Sequence, residues 1–150
     1  MSTIKITTTP PDLFARFERY PRQLDKVLKT TMRAALLAVW ENVPAYPPKP
    51  KSSWYVRTGT LGRSLGVSEG GGKIGFPDVF KIEHQGPKYL GTFGSNLTYA
   101  PRVIDPDQQE MPWKRYWWTT DTIKHRAEPK VISLFEAMTE ELAKFLGGTG

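Results

Sequence analysis

"PRQLDKVLKTTMRAALLAVWENV", residues 21–43, decides the architecture. Leu24, Leu28, Met32, Leu36, Val39 and Val43 recur three or four residues apart, and Val27, Ala35 and Trp40 widen the row into the stripe of an amphipathic helix. Pro21 stands where a first-turn proline is tolerated. The opposite face carries Arg22, Lys26, Lys29 and Arg33. A helix with one apolar stripe must bury it against another layer, so the remainder of the chain has to supply that layer.

Upstream, "TIKITTT" alternates Ile4 and Ile6 with polar residues and reads as a short edge strand ended by Pro10-Pro11. A short helical stretch through Leu13, Phe14 and Phe17 follows. Downstream, "VPAYPPKPKSSWY" places four prolines among residues 44–50, which stops the helix and sets a stiff, extended loop over 44–54. An SH3-type ligand is the other reading of that segment.

Residues 64–104 give short apolar runs separated by glycine: "SLGVSE", "KIGF", "VFKIEH" and "YLGTFGSNLTYAPRVI". They read as a small antiparallel sheet, with Gly70-Gly71-Gly72 making one hairpin turn. After "DPDQQEMP" come the aromatic cluster "WKRYWW" and a short helix around Asp121–Arg126. Pro129 then opens a last helix with a stripe of Val131, Leu134, Phe135, Met138, Leu142, Phe145 and Leu146, stopped by Gly147-Gly148. The expected fold is a single α+β domain over residues 1–150: a small antiparallel sheet packed against a long helix in the N-terminal half and a C-terminal helix.

Composition limits the chemistry. The 150 residues contain no cysteine, which excludes disulfides, zinc–thiolate sites and a cysteine nucleophile. No apolar run reaches the roughly 18 residues of a membrane span, and "MSTIKITTTPPD" lacks a signal-peptide core, so a soluble protein made inside the cell is expected. The net charge of +6 is lopsided: residues 1–75 hold 12 Lys/Arg against 5 Asp/Glu, and residues 76–150 hold 9 against 10. Such a basic half favours an acidic partner, or is simply a solvated helix face.

Phosphate-loop patterns fail on inspection. In "WYVRTGTLGRSLGV", residues 54–67, only Thr60 and Leu61 separate Gly59 from Gly62, where four residues are required, and Arg63 replaces the lysine. Gly70-Gly71-Gly72-Lys73-Ile74-Gly75 matches a dinucleotide fingerprint by letter, but "FPDVF" follows where a helix must begin. Neither His84, beside Glu83 in a strand, nor His125, four residues after Asp121, has a convincing catalytic neighbour. Asp105, Asp107 and Glu110 suggest a metal loop but lack the remaining ligands. No catalytic residue, metal site or cofactor is expected.

Two stretches remain as interaction candidates. Trp113, Tyr116, Trp117 and Trp118 beside Lys114 and Arg115 suit either the stacking of nucleic-acid bases or, more simply, core and interface anchors. In "VRTGTLGRS", Thr58 or Thr60 can cap a helical turn, Leu61 points inward, and Arg57 and Arg63 are left to meet an acidic partner.

In order, a helical half ending in "NVPAYPPKP", then "YVRTGTLGRSL", a glycine-broken sheet, "GSNLTYAPRVID" and a C-terminal helix resemble the neck and tail-completion proteins of tailed bacteriophages, the family often labelled minor tail component. An Arg/Asp-Thr-Gly-x-Leu-x-x-Ser segment of that family matches Arg57, Thr58, Gly59, Leu61 and Ser64, and an Asn-x-x-Tyr-Ala-Pro-x-Val segment matches Asn96, Tyr99, Ala100, Pro101 and Val103. The resemblance covers about residues 12–146; after Val103 "IDPDQQEMPWKRYWW" stands where many members continue with an acidic residue and Phe-Gly. It implies a non-enzymatic virion protein that assembles as a six-fold or twelve-fold homo-oligomeric ring in the head–tail neck. Its partners would be other neck and tail proteins, with double-stranded DNA passing through the lumen without specific binding. Such a protein resides in the host cytoplasm until assembly. The alternative function is a basic nucleic-acid-binding module built on the aromatic and basic cluster.

Overall fold

The apolar stripe of residues 21–43 is buried as its spacing requires. In the computed structural model, which describes residues 2–8, 21–49, 59–85 and 88–148, the long helix α1 spans Pro21–Glu41. Leu28, Met32, Ala35, Leu36, Ala38, Val39 and Trp40 are all buried, with Val43 just beyond the helix. The buried side of α1 lies against a three-stranded sheet and along the C-terminal helix.

The sheet comprises β1 (Ser2–Thr8), β2 (Val79–Gln85) and β3 (Lys88–Ser95). Its order is β1-β3-β2 and both pairings are antiparallel. Ile4, Phe93 and Phe80 pair across it, as do Ile6, Gly91 and Ile82. Gly91 gives α1 room to approach: a Cβ there would lie 2.6 Å from Met32 Sδ and 3.3 Å from Leu36 Cδ1. The main core joins Leu36, Val39 and Trp40 of α1 to Ile4, Phe93, Leu61, Ile104, Trp117, Trp118 and Ile123. A second core joins Leu28 and Met32 to Tyr89, Met138 and Leu142. The fold is α+β, as the sequence leads one to expect.

Three expectations need correction. The sheet is smaller than the glycine-broken runs suggest. The start of "TLGRSLGVSE" belongs to a short helix, α2 (Thr60–Ser64), and "KIGF" supplies only an isolated Val67–Lys73 bridge around Gly70–Gly72. "APRVI" is likewise a short helix, α3 (Ala100–Ile104). Pro101 falls in its first turn, where no hydrogen bond is asked of a proline nitrogen. A 3-10 turn follows at Trp113–Arg115.

The two C-terminal helices are one, α4 (Thr120–Gly148), with Pro129 inside it. An internal proline removes one hydrogen bond, to the carbonyl four residues back at His125. Both residues are exposed, so water can satisfy that carbonyl while Ala127 and Val131 keep the stripe continuous on the inner face. The start of α4 is set reciprocally: Thr122 N–H donates to Thr119 O at 3.0 Å, and Thr119 N–H donates to Thr122 Oγ1 at 3.4 Å.

The third correction concerns α2, whose cap is Gly59 in the left-handed conformation at φ 74°, with no side-chain cap bond. Thr60 is its first helical residue rather than its cap. Thr58, Arg57, the helical stretch at Leu13, Phe14 and Phe17, and the distal part of the 44–54 loop lie outside the described residues, as do the side chains of Phe145 and Leu146.

Candidate functional site

The two segments that carry the family resemblance meet at a buried hydroxyl pair. Ser64, closing α2, donates its only hydroxyl proton to Leu61 O at 2.6 Å. The 2.7 Å contact between Ser64 Oγ and Ser95 Oγ must therefore be donated by Ser95, at the end of β3. Ser95 Oγ in turn accepts Leu97 N–H at 3.2 Å. Asp78 ties the same junction from the side: its N–H donates to Ser64 O at 2.7 Å, and its Oδ2 accepts Asn96 N–H at 3.0 Å. Beyond it Ala100, Pro101 and Val103 turn into the core. Leu61, Ser64, Ala100, Pro101 and Val103 thus set the frame, and what the first segment leaves at the surface is Arg63. Its side chain is exposed, reaches Thr60 Oγ1 at 3.4 Å and makes no salt bridge among the described residues. Arg57 lies outside the described residues.

The aromatic cluster divides into an inside and an outside. Trp117 and Trp118 are 7% and 9% exposed and belong to the main core, which corrects their assignment to an interaction surface. Trp118 Nε1 donates to Ala45 O at 3.1 Å, and the Trp117 ring meets Tyr46 edge-on at 4.9 Å. Tyr46 also accepts Gly62 N–H at its hydroxyl, 2.6 Å away, and donates its own N–H to Glu69 O at 2.7 Å. The two tryptophans therefore hold the start of the proline-rich segment onto α2. Trp113 and Tyr116 are half-buried against the same core, whereas Lys114 and Arg115 are exposed beside Met111. A stack of bases on this cluster would find two of its four rings already covered.

Sequence reasoning missed a surface centred on Phe76. Ile74 and Phe76 are 45% and 57% exposed. Phe76 packs edge-on to Trp40 at 5.5 Å and to Phe80 at 5.2 Å. Lys73 lies over the Trp40 ring at 5.4 Å and pairs with Glu41 at 3.2 Å, and Arg33 lies over Phe80 at 5.7 Å. The loop is fastened at Gly66, whose carbonyl accepts Trp40 Nε1 at 2.9 Å and Ile74 N–H at 2.7 Å. Only glycine suits that position: φ is +73°, and a Cβ would sit 2.9 Å from Pro77 N and 3.0 Å from the Trp40 ring. The available signal was an isoleucine and a phenylalanine among five nearby glycines, apolar residues in a stretch with no element to bury them.

Arg22, Lys26, Lys29 and Arg33 are exposed on α1, as its wheel requires. Asp25 interrupts their charge, but its carboxylate is engaged. Oδ1 accepts the Tyr89 hydroxyl at 2.5 Å, and Oδ2 pairs with Lys29 at 3.1 Å. The Tyr89 bond, followed by Lys29, holds the Asp25 carboxyl below its usual range. Burial and the same bond push the Tyr89 phenol up to about 12. His84 stacks on the Tyr89 ring at 5.3 Å.

A groove of about 640 Å³ runs between β1 and α4, lined by Ile6, Val131, Phe135 and Met138, with Thr8, Glu136 and Glu140 at its rim. Among the described residues no three His, Asp or Glu side chains gather as a metal site would need, and no helix is long and apolar enough to cross a membrane. Comparison of the chain with protein-family models, with curated proteins and with solved structures finds no match.

Proposed function

We propose that this protein is a structural subunit of a tailed-bacteriophage virion, one copy of a ring at the joint between head and tail, acting through its surfaces rather than through catalysis. The reading rests on the resemblance carried by the order of the segments along the chain, of which the two short ones meet at Ser64 and Ser95.

The observation that carries the assembly reading is the apolar loop at Ile74 and Phe76. It is fixed to the core through Trp40 and Gly66, and it still presents two large apolar side chains to solvent. A rigid apolar projection rimmed by Lys73 and Arg33 is the anatomy of a contact completed by another chain. Arg63, Lys114 and Arg115 are further exposed cations for acidic faces of neighbouring subunits or neck proteins.

The test is complementation of a phage lacking this gene with Phe76→Asp. The variant should fold, because the ring is more than half exposed and its edge contacts contribute about 1 kcal/mol. Electron microscopy should then show filled heads and detached tails. Normal joining by a variant that melts like the parent would remove Phe76 from the assembly contact.

A further inference from the structure

We propose that the exposed face of α1 is a sequence-independent contact for the phosphate backbone of double-stranded DNA, made by Arg22, Lys26, Lys29 and Arg33. At 3.6 residues per turn the four side chains fall within about 60° of one another around the helix, and at 1.5 Å per residue they extend over about 17 Å. All four are exposed. Arg22 and Lys26 have no acidic partner among the described residues, and Arg33 rests on the Phe80 ring rather than on a carboxylate. The one acid of this half of the helix, Asp25, accepts the Tyr89 hydroxyl and, among the described residues, makes its salt bridge with Lys29.

No other face of the described chain gathers four cations with so little acid among them. The exposed side of α4 mixes Lys124, Arg126 and Lys130 with Asp121, Glu128, Glu136 and Glu140. Arg102 stands beside Glu110 at 3.9 Å, and Lys81 beside Glu83 at 3.3 Å.

The chemistry of the row selects the partner. The residues interspersed on the exposed side are Gln23 and Thr30, and none of the exposed large apolar side chains, Ile74, Phe76, Tyr99, Met111 and Ile132, lies on α1. A protein interface needs an apolar or aromatic anchor at its centre, and the stretch from Arg22 to Lys29 has none; Arg33, at the end of the row, borders the Phe76 loop through Phe80. A phosphate backbone asks for a line of flexible cations and nothing apolar. The apolar stripe of α1 is committed to the core, so the helix has no face to insert into a lipid surface. The binding stands whether or not the chain forms a ring; within the ring reading it identifies the surface turned towards the DNA channel.

The test is fluorescence anisotropy of the whole protein with a labelled duplex of about 20 base pairs, titrated between about 50 and 200 mM NaCl. Three to four phosphate contacts give a slope of log K against log salt of about −3, with scrambled duplexes binding alike. Arg22→Gln, Lys26→Gln and Arg33→Gln together should bring the slope to about −1 and weaken binding at least tenfold at about 50 mM salt. Should the triple variant not fold, Arg22→Gln and Lys26→Gln singly must each lower the slope by about 1, and Lys26→Arg must restore it. Lys114→Gln with Arg115→Gln should leave duplex binding unchanged. The proposal is overturned if the triple variant binds duplex as the parent does. It is equally overturned if a single-stranded oligonucleotide binds more tightly through Lys114 and Arg115, or if polyglutamate or phosphatidylserine vesicles bind where duplex does not.

Discussion

Replacing Ser64 by alanine should destabilise the protein more than replacing Ser95, and the two losses should not add. The reason is the direction of the proton at their 2.7 Å contact. Ser64 gives its proton to Leu61 O, so Ser95 is the donor between them. Ser64→Ala removes that acceptor and leaves a donor at Ser95, a fully buried residue, with nothing to satisfy it. An orphaned buried donor together with the lost bonds costs about 2–3 kcal/mol. Ser95→Ala leaves the Ser64 proton on Leu61 O and gives up one accepted bond plus the Leu97 N–H contact, in a half-buried position, for about 1–2 kcal/mol. With both hydroxyls gone no buried hydroxyl donor is stranded and only the half-buried Leu97 N–H loses its acceptor, so the double variant should lose about 1 kcal/mol less than the sum. Urea unfolding followed by tryptophan fluorescence measures all four proteins, and unchanged m values would confirm that the midpoints report stability. Additivity within about 0.3 kcal/mol, or a larger loss for Ser95→Ala, would refute the proton assignment and with it the physical link between the two segments.

Further outcomes concern the core, the Asp25 contact and the surface arginine. Leu36→Asp places an unpaired charge at a fully buried position in the middle of α1, at a cost of several kcal/mol, and should yield no soluble folded protein; a parent-like melt would misplace the stripe. Tyr89→Phe breaks the bond to Asp25 and should cost about 1 kcal/mol at neutral pH, discounted for the partial exposure of the carboxylate. The depressed Asp25 pKa contributes stability that is present above the ordinary carboxylate range and lost as pH falls through the lowered value. The raised Tyr89 pKa contributes stability that is present below about 10 and lost as pH rises towards about 12. The parent's advantage over Tyr89→Phe should therefore shrink at both ends of a pH series of melting curves, and a constant difference would show that the pair is uncoupled from folding. Arg63→Glu, at an exposed position, should shift stability by no more than about 0.5 kcal/mol while reducing head–tail joining in complementation; a collapsed melt would make Arg63 structural.

The residues that could be read in advance were those whose local period matched their burial. Leu28, Met32, Leu36 and Val39 repeat at helical spacing because one side of α1 faces apolar layers along its length, and Ile4 and Ile6 alternate because one face of β1 is covered. Pro129 misled because its chemistry argues for a helix start, and only its exposed position shows that the lost bond can be borne inside a helix. The runs between residues 64 and 104 share the composition of strands, yet "TLGRS" and "APRVI" close into short helices whose geometry is set by contacts with Tyr46, Ser95 and the main core. Of the candidate surface, the cations of α1 were legible from the wheel. The division of "WKRYWW" into buried Trp117 and Trp118 and exposed Lys114 and Arg115 was not, since neighbouring aromatics carry no period. Nor could the sequence show Phe76 resting on Trp40, 36 residues earlier, or Tyr89 reaching Asp25 across 64 residues.

The most direct measurement of the proposed function is a cryo-electron map of a tailed particle from the source of this gene, searched for the chain at the head–tail joint. The account predicts a closed ring of six or twelve copies, with Phe76 buried between chains and the Arg22–Arg33 face of α1 turned to the lumen. A particle that lacks the chain, or that holds a single isolated copy away from the joint, would contradict it.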